Sequence, residues 1–308
     1  MYFPYLRGRQ FELIALRELL DKDLINEHIF PIIEPVKLSS TLTKTLTLYK
    51  EKNANISVIY NPSVGSLDNE QLTAKTENAV CNNLNDLVAT PPILKAYHLS
   101  KNLPSIETDL QNIILIANNR DTSTYYNDIY TVGREPKYTL MLDESDFRRN
   151  IRNKNRVLLS DNFIKKTKNA DYNNGEEFYT RDHLYYKEDG YVGFADYSVV
   201  GNDYTESGFA PYAVAIHIVY FDEDMTMKIY HFISDSNEDY SDTTGKFSEA
   251  LEKLIKWNNE KQLNTYAMKE FQRLYDEQSY PGLGTVKKLS IMHHIELVSD
   301  FLAHQQEV

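Results

Sequence analysis

The chain has 308 residues, 42% hydrophobic and 25% charged, enough for one large α/β domain or two ordinary ones and too apolar for a disordered chain. Its formal charge of −12 excludes broad, non-specific nucleic-acid binding, which needs many Lys and Arg, while leaving room for a local basic patch. Single Cys81 excludes an intramolecular disulfide, and no apolar run of about 18 residues is present, so a cytoplasmic, membrane-free protein is expected. Arg7, Arg9 and Glu12 also interrupt the apolar run that a signal peptide would need.

In chain order, Tyr2–Leu6 reads as a strand and Gln10–Leu20 as a helix, with Phe11, Ile14, Leu16 and Leu19 near helical spacing. Phe30–Val36 is a short buried strand with Glu34 and Lys37 at its end, and Ser39–Asn53 is a helix. Ile56–Tyr60 is a strand ending at Asn61-Pro62, followed by a helix over Asn69–Leu87. Pro92–His98 and Asn112–Ala117 are strands, and Asp121–Tyr130 is helical or irregular. Tyr138–Leu142 ends in Asp143-Glu144, and Arg156–Leu159 ends in Ser160-Asp161. Asn162–Asp189 is polar, without period, and long for an α/β connection. Two β runs follow, Tyr191–Val200 and Tyr212–Phe221, the second turning into Lys228–Ile233 as a hairpin. The tail is helical: a segment carrying Phe247, Leu251, Leu254 and Trp257, then Tyr266–Tyr275 and Val286–Leu302.

Eight strand candidates therefore precede the hairpin, near Tyr2, Pro31, Ser57, Leu94, Ile113, Thr139, Val157 and Val192. Strand–helix alternation implies a parallel sheet, and eight units close into a (β/α)8, TIM-barrel-like α/β fold, with an open doubly wound sheet as the alternative. The expected organisation is a barrel domain over 1–243, holding the 162–189 insertion and the 190–236 β-rich stretch. C-terminal helices over 244–308 pack on it.

YFPYLRGRQFELIALREL followed by FPIIEPVK resembles the opening of the phage beta-protein family and its bacterial relatives. EEFYTRDHLYYKEDGYVGFADYSVVG and APYAVAIHIVYF are similar to a bacterial subgroup of it. The resemblance implies a barrel-like α/β fold, a link to phages and mobile elements, and a small partner protein encoded nearby, in a defence setting. It implies no particular reaction.

In a parallel barrel the strand C-termini share one face, where sites form. The polar residues at those ends are Arg7, Glu34, Lys37, Asn61, His98, Asn118, Asp143, Asp161 and Asp196. Glu34, Asp143, Asp161 and Asp196 could hold a divalent cation, Mg²⁺ or Mn²⁺, through hard oxygen ligands. Glu34, Lys37 and Asp196 are the catalytic candidates, and Arg7, Asn61 and Tyr197 the substrate-binding ones, with Arg7 or Lys37 on a phosphate. The bland reading is that Asp and Asn after strands are turn and cap residues. His217 reads as a partly buried structural histidine, His183 as a surface residue, and His293-His294 as unable to pair on a metal. Lys165, Lys166 and Lys168 with the Arg148–Arg156 run offer an anion patch, and Tyr172, Tyr179, Tyr185 and Tyr186 offer stacking surface.

The expected function is metal-assisted hydrolysis of a phosphoester in a nucleotide or nucleic acid. The alternative is a non-catalytic scaffold that binds a partner protein through the Tyr-rich insertion and tail helices. A homo-oligomer is compatible with either.

Overall fold

The computed structural model describes residues 1–67, 72, 79–103, 109–129, 135–152, 154–172, 175–205 and 211–305. Eight parallel strands close into a barrel: β1 (Tyr2–Leu6), β2 (Ile32–Ile33), β3 (Ile56–Ile59), β4 (Ile93–His98), β5 (Ile113–Ala117), β6 (Tyr138–Met141), β7 (Arg156–Ser160) and β9 (Gly193–Asp196). The ring closes where β9 pairs with β7 (Val157 opposite Gly193) and with β1 (Tyr2 opposite Phe194). The (β/α)8, TIM-barrel-like fold read from the sequence is the fold of the protein, and all eight expected strands are its staves.

The period of two sorts each stave into two layers. Phe3, Tyr5, Ile32, Ile59, Leu94, Ala96, Ile114, Ile116, Leu140, Val157, Leu159 and Ala195 fill the lumen. Tyr2, Leu6, Ile33, Val58, Tyr97, Leu115, Leu158 and Phe194 face the surrounding helices. Helix α1 (Gln10–Asp21) buries Leu13, Leu16 and Leu19, and α2 (Ser40–Glu51) is capped by the Ser39 side chain, which accepts from Leu42 N at 3.2 Å. Helix α3 (Ala79–Val88) is the described part of the 69–87 segment. The shorter α4 (Tyr125–Ile129) and α5 (Ser145–Asn150) follow β5 and β6.

Between β7 and the last stave the chain leaves the barrel and forms β8 (Gly175–Thr180) and α6 (Asp182–Tyr185), inside the segment that showed no period. Strand β8 pairs antiparallel with β11 (Met227–Ile233), which pairs with β10 (Ala215–Phe221), giving a three-stranded sheet. Half-exposed alternation in β8 explains the weak signal: Glu176 and Phe178 face solvent, so no apolar run marks the strand.

The tail helices are α7 (Thr243–Lys261), α8 (Tyr266–Asp276) and α9 (Leu283–His304). Trp257 of α7 packs its ring on Tyr220, Tyr230 and Phe232 of the sheet. Helix α9 lies against α1, α8 and β10, and its buried residues, among them Leu289, Ile291, Met292, Ile295 and Val298, surround its axis. The apolar stripes of the tail are thus consumed inside the chain. Among the described residues no helix is long and apolar enough to cross a membrane.

Gly193 marks the tightest point of the lumen. A Cβ there would sit 2.7 Å from the Met1 carbonyl oxygen and 2.7 Å from the Phe3 ring. Gly193→Val is expected to cost ~1–3 kcal/mol by overpacking, whereas Gly175→Val, with open space around it, stays within about 0.5 kcal/mol. Urea unfolding of the two variants beside the parent checks this; equal midpoints would contradict it.

Candidate functional site

At the C-terminal end of the barrel the alternation of the lumen continues past the strand ends. Tyr5, Glu34, His98, Asn118 and Tyr197 continue the inward-facing series of β1, β2, β4, β5 and β9, while the next residue of each stave faces out. Glu34 is completely buried. A carboxylate in that position is tolerated only if its oxygens are matched by donors. They are. Tyr5 donates its hydroxyl to Oε2 at 2.6 Å, and Arg7 Nη1 donates to the same oxygen. Ser63 donates its backbone N–H at 2.6 Å and its hydroxyl at 2.8 Å to Oε1, and His98 Nε2 stands 3.1 Å from Oε1.

Burial alone raises the pKa of Glu34, but the hydrogen bond and charge of His98, with the contributions of Arg7 and Tyr5, outweigh it and hold the carboxyl well below the usual carboxylate range. An ionised Glu34 accepts, so His98 Nε2 carries a proton, and in the neutral ring Nδ1 is the nitrogen with the lone pair. Among the described residues His98 Nδ1 has no hydrogen-bond partner, and His98 borders a cleft of about 1000 Å³ with Arg7, Ser63, Asn118 and Arg120. Arg7 is spread over the site. Its Nη2 donates to Asn202, 2.6 Å from Oδ1, and its planar group lies 5.2 Å from the Tyr5 ring and 5.3 Å from the Tyr197 ring. Its Nε is buried without a hydrogen-bond partner.

The remaining expected residues divide between this mouth and other places. Asp161 belongs to the mouth, where it accepts from Asn202 N at 3.2 Å, and burial with the nearby Asp203 and Asp196 charges raises its pKa against that hydrogen bond. Asn61 is taken up structurally: it donates to the His98 carbonyl at 2.9 Å and accepts from His98 N at 2.8 Å, tying β3 to β4. Asp143 stands on the rim, accepting from Arg148 and from the Tyr191 hydroxyl at 2.8 Å. Lys37 is exposed and does not border the cleft.

Asp196 faces the other way. Its stave places Ala195 and Tyr197 in the lumen, so Asp196 points outward, into the layer under α9. There it accepts from Tyr2 at 2.7 Å, Ser198 N at 2.8 Å and Tyr179 at 3.4 Å, with His294 Nε2 3.7 Å away. Burial pushes its carboxyl up to about 6 despite those donors. His183, expected on the surface, is buried: Nε2 lies 2.9 Å from the Met225 carbonyl and the ring packs on Phe221 and Phe301. Helix α6 turns it inward, which a polar segment without period could not signal.

The four acids expected to share a cation therefore stand apart, in the mouth, on the rim and in the outer layer. Each has oxygens occupied by the protein's own donors. Among the described residues no cluster of three or more His, Cys, Asp or Glu side chains is arranged to hold a metal ion. As placed, the four acids share no common point for a divalent cation among the described residues. Tyr5, Ser63 and Asn202 escaped the sequence reading; only Tyr5, two residues before Arg7 on one strand, carried a signal.

The chain was compared with family models, curated proteins and solved structures. None of them matches it.

Two outcomes follow for stability. Glu34→Ala leaves the buried Arg7 and Tyr5, with Ser63 and His98, without their acceptor and is expected to lose ~3–5 kcal/mol, a collapse in urea midpoint that a small change would contradict. For Asp196 the sign is opposite to that of an ion-paired acid. A pKa raised from 3.8 to about 6 gives stability that is full below 3.8 and lost as pH rises through about 6, ~3 kcal/mol in all. The difference in urea midpoint between the parent and Asp196→Asn should therefore shift steadily from pH 4 to pH 6.5, against the parent at the higher pH. A constant difference would show that Asp196 does not titrate in that window.

Proposed function

We propose that the barrel mouth is the active site of a hydrolase for phosphoesters, with a nucleotide as the substrate class. The observation that carries this reading is the buried Glu34–His98 pair beside the unmatched Arg7 Nε at a cleft. Glu34 fixes the His98 tautomer, and Nδ1 acts as general base. It takes a proton from a water whose oxygen forms the new bond to phosphorus; the bond from phosphorus to the leaving oxygen breaks, and that oxygen takes a proton from the imidazolium. The Arg7 guanidinium, which borders the cleft, lends its positive charge to the phosphoryl oxygens, and Tyr5 and Ser63 hold Glu34 in place.

Arg120 supplies a second cation at low cost. Its ion pair with Glu144 is on the surface, where such pairs contribute little, so an arriving phosphate can take the guanidinium over. Kinship with the phage beta-protein family, and a role in phage defence or a mobile element beside a small partner protein, belong to the same proposal. They rest on the sequence segments quoted above.

His98→Ala is the decisive variant, because it removes the base and leaves Tyr5, Arg7 and Ser63 on Glu34. With a panel of phosphomonoesters, phosphodiesters and nucleotides, assayed with and without EDTA, the parent should turn over at least one class. His98→Ala should lose about 10²- to 10⁴-fold in kcat, the range of a general base, and keep its fold by circular dichroism. No turnover by the parent, or full activity in His98→Ala, would overturn the assignment.

A further inference from the structure

A second cleft, of about 440 Å³, lies between the barrel, the three-stranded sheet and α9. Asp203 borders both clefts, and the chain from Asn202 to Thr205 runs between them. This second cleft is cationic. Among the described residues, Arg9, Lys165, Lys166 and Lys287 line it against one acid, Asp203, in a chain whose formal charge is −12. Lys287 is paired with Glu12 at 3.2 Å, Arg9 donates to the Thr205 carbonyl, and Lys165 Nζ donates to the Asp203 carbonyl at 3.3 Å. Among the described residues the Lys166 ammonium has no hydrogen-bond partner, which leaves it open to an anion in the cleft.

Its wall is aromatic. Phe163 and Tyr172 border the cleft with His217, the Phe163 ring 5.1 Å and the Tyr172 ring 4.7 Å from that of His217. The histidine is itself oriented. His217 Nδ1 lies 2.7 Å from His231 Nδ1, across β10 and β11, so one of the two nitrogens donates and the other accepts. Glu177 stands 3.7 Å from His231 Nε2 and favours a proton there. His231 Nδ1 then accepts, His217 Nδ1 donates, and His217 Nε2 is left with its lone pair at a residue that borders the cleft. Burial and the neighbouring His231 keep His217 neutral, with its pKa lowered to about 3.

An aromatic wall, a fixed acceptor and a group of cations are together what a base and its phosphate require. The volume lies near the lower end of the roughly 300–1,000 Å³ range of small-molecule sites. It holds one nucleotide and not a strand. We propose that this cleft is a mononucleotide-binding site distinct from the barrel mouth. The base lies against Tyr172 and Phe163 and donates an amino or imino N–H to His217 Nε2, and the phosphate meets Lys165 and Lys166. This does not rest on the hydrolase reading.

Isothermal titration of the whole chain with 5′-AMP, 5′-GMP, 5′-CMP and 5′-UMP, and with inorganic phosphate, tests it. At least one nucleotide should bind at least tenfold more tightly than phosphate. Lys165→Ala/Lys166→Ala, a change at the protein surface, should weaken it tenfold or more, and His217→Phe should weaken it while lowering preference among bases. Lys52→Ala, a surface lysine that borders neither cleft, should bind within threefold of the parent. No saturable nucleotide binding, phosphate binding as tightly as nucleotide, or full affinity in the lysine pair would each overturn the site.

Discussion

A single carboxylate governs the mouth of this barrel. Glu34 is wholly shielded from water, and a lone charge there would cost far more than the fold can spare. Its two oxygens accept from Tyr5, Arg7, Ser63 and His98, which come from the ends of β1 and β4 and the loop after β3. Matching one ion thus aligns β1, β2 and β4 at the top of the lumen. It also decides the proton position on His98, and with it whether Nδ1 can act as a base.

The two buried acids of the barrel solve the same problem in opposite ways. Glu34 has cationic partners and stays ionised, whereas Asp196 has neutral donors, and burial wins. The contrast follows from which face of its strand each occupies. Inward-facing Glu34 meets Arg7 and the polar ends of neighbouring staves; outward-facing Asp196 meets tyrosines and the apolar face of α9. Histidines follow the same division. His98 borders a cleft, while His293 and His294 are locked in the outer layer, His293 between Thr265 and the Val219 carbonyl and His294 beside Ser198.

The barrel was legible in the sequence because its staves are short apolar runs separated by helical stripes, and counting them reached eight. Glu34 was legible for the same reason: an acid ending an apolar strand has no neutral explanation. Asp196 was misplaced because strand ends were treated as one set, although the period of two sends alternate residues to opposite layers. Strand β8 carries little signal because Gly175, Glu176 and Glu177 leave no apolar run, and His183 because nothing local shows that α6 turns inward. Ser63 and Asn202 sit in loops, where only tertiary approach to Glu34 and Arg7 gives them a role. The cleft beside the sheet was half visible: the lysines and tyrosines of the insertion were noted, but their meeting with His217 depends on how the hairpin folds back.

The most direct test of this account is a ¹³C NMR titration of the side-chain carboxyls of Glu34 and Asp196 in the folded protein. The account predicts that Glu34 remains ionised down to the lowest pH at which the protein stays folded, and that Asp196 takes up its proton near pH 6. A Glu34 midpoint at or above the ordinary carboxylate value of 4.5 would contradict it, because a neutral Glu34 could neither fix the His98 tautomer nor organise the mouth.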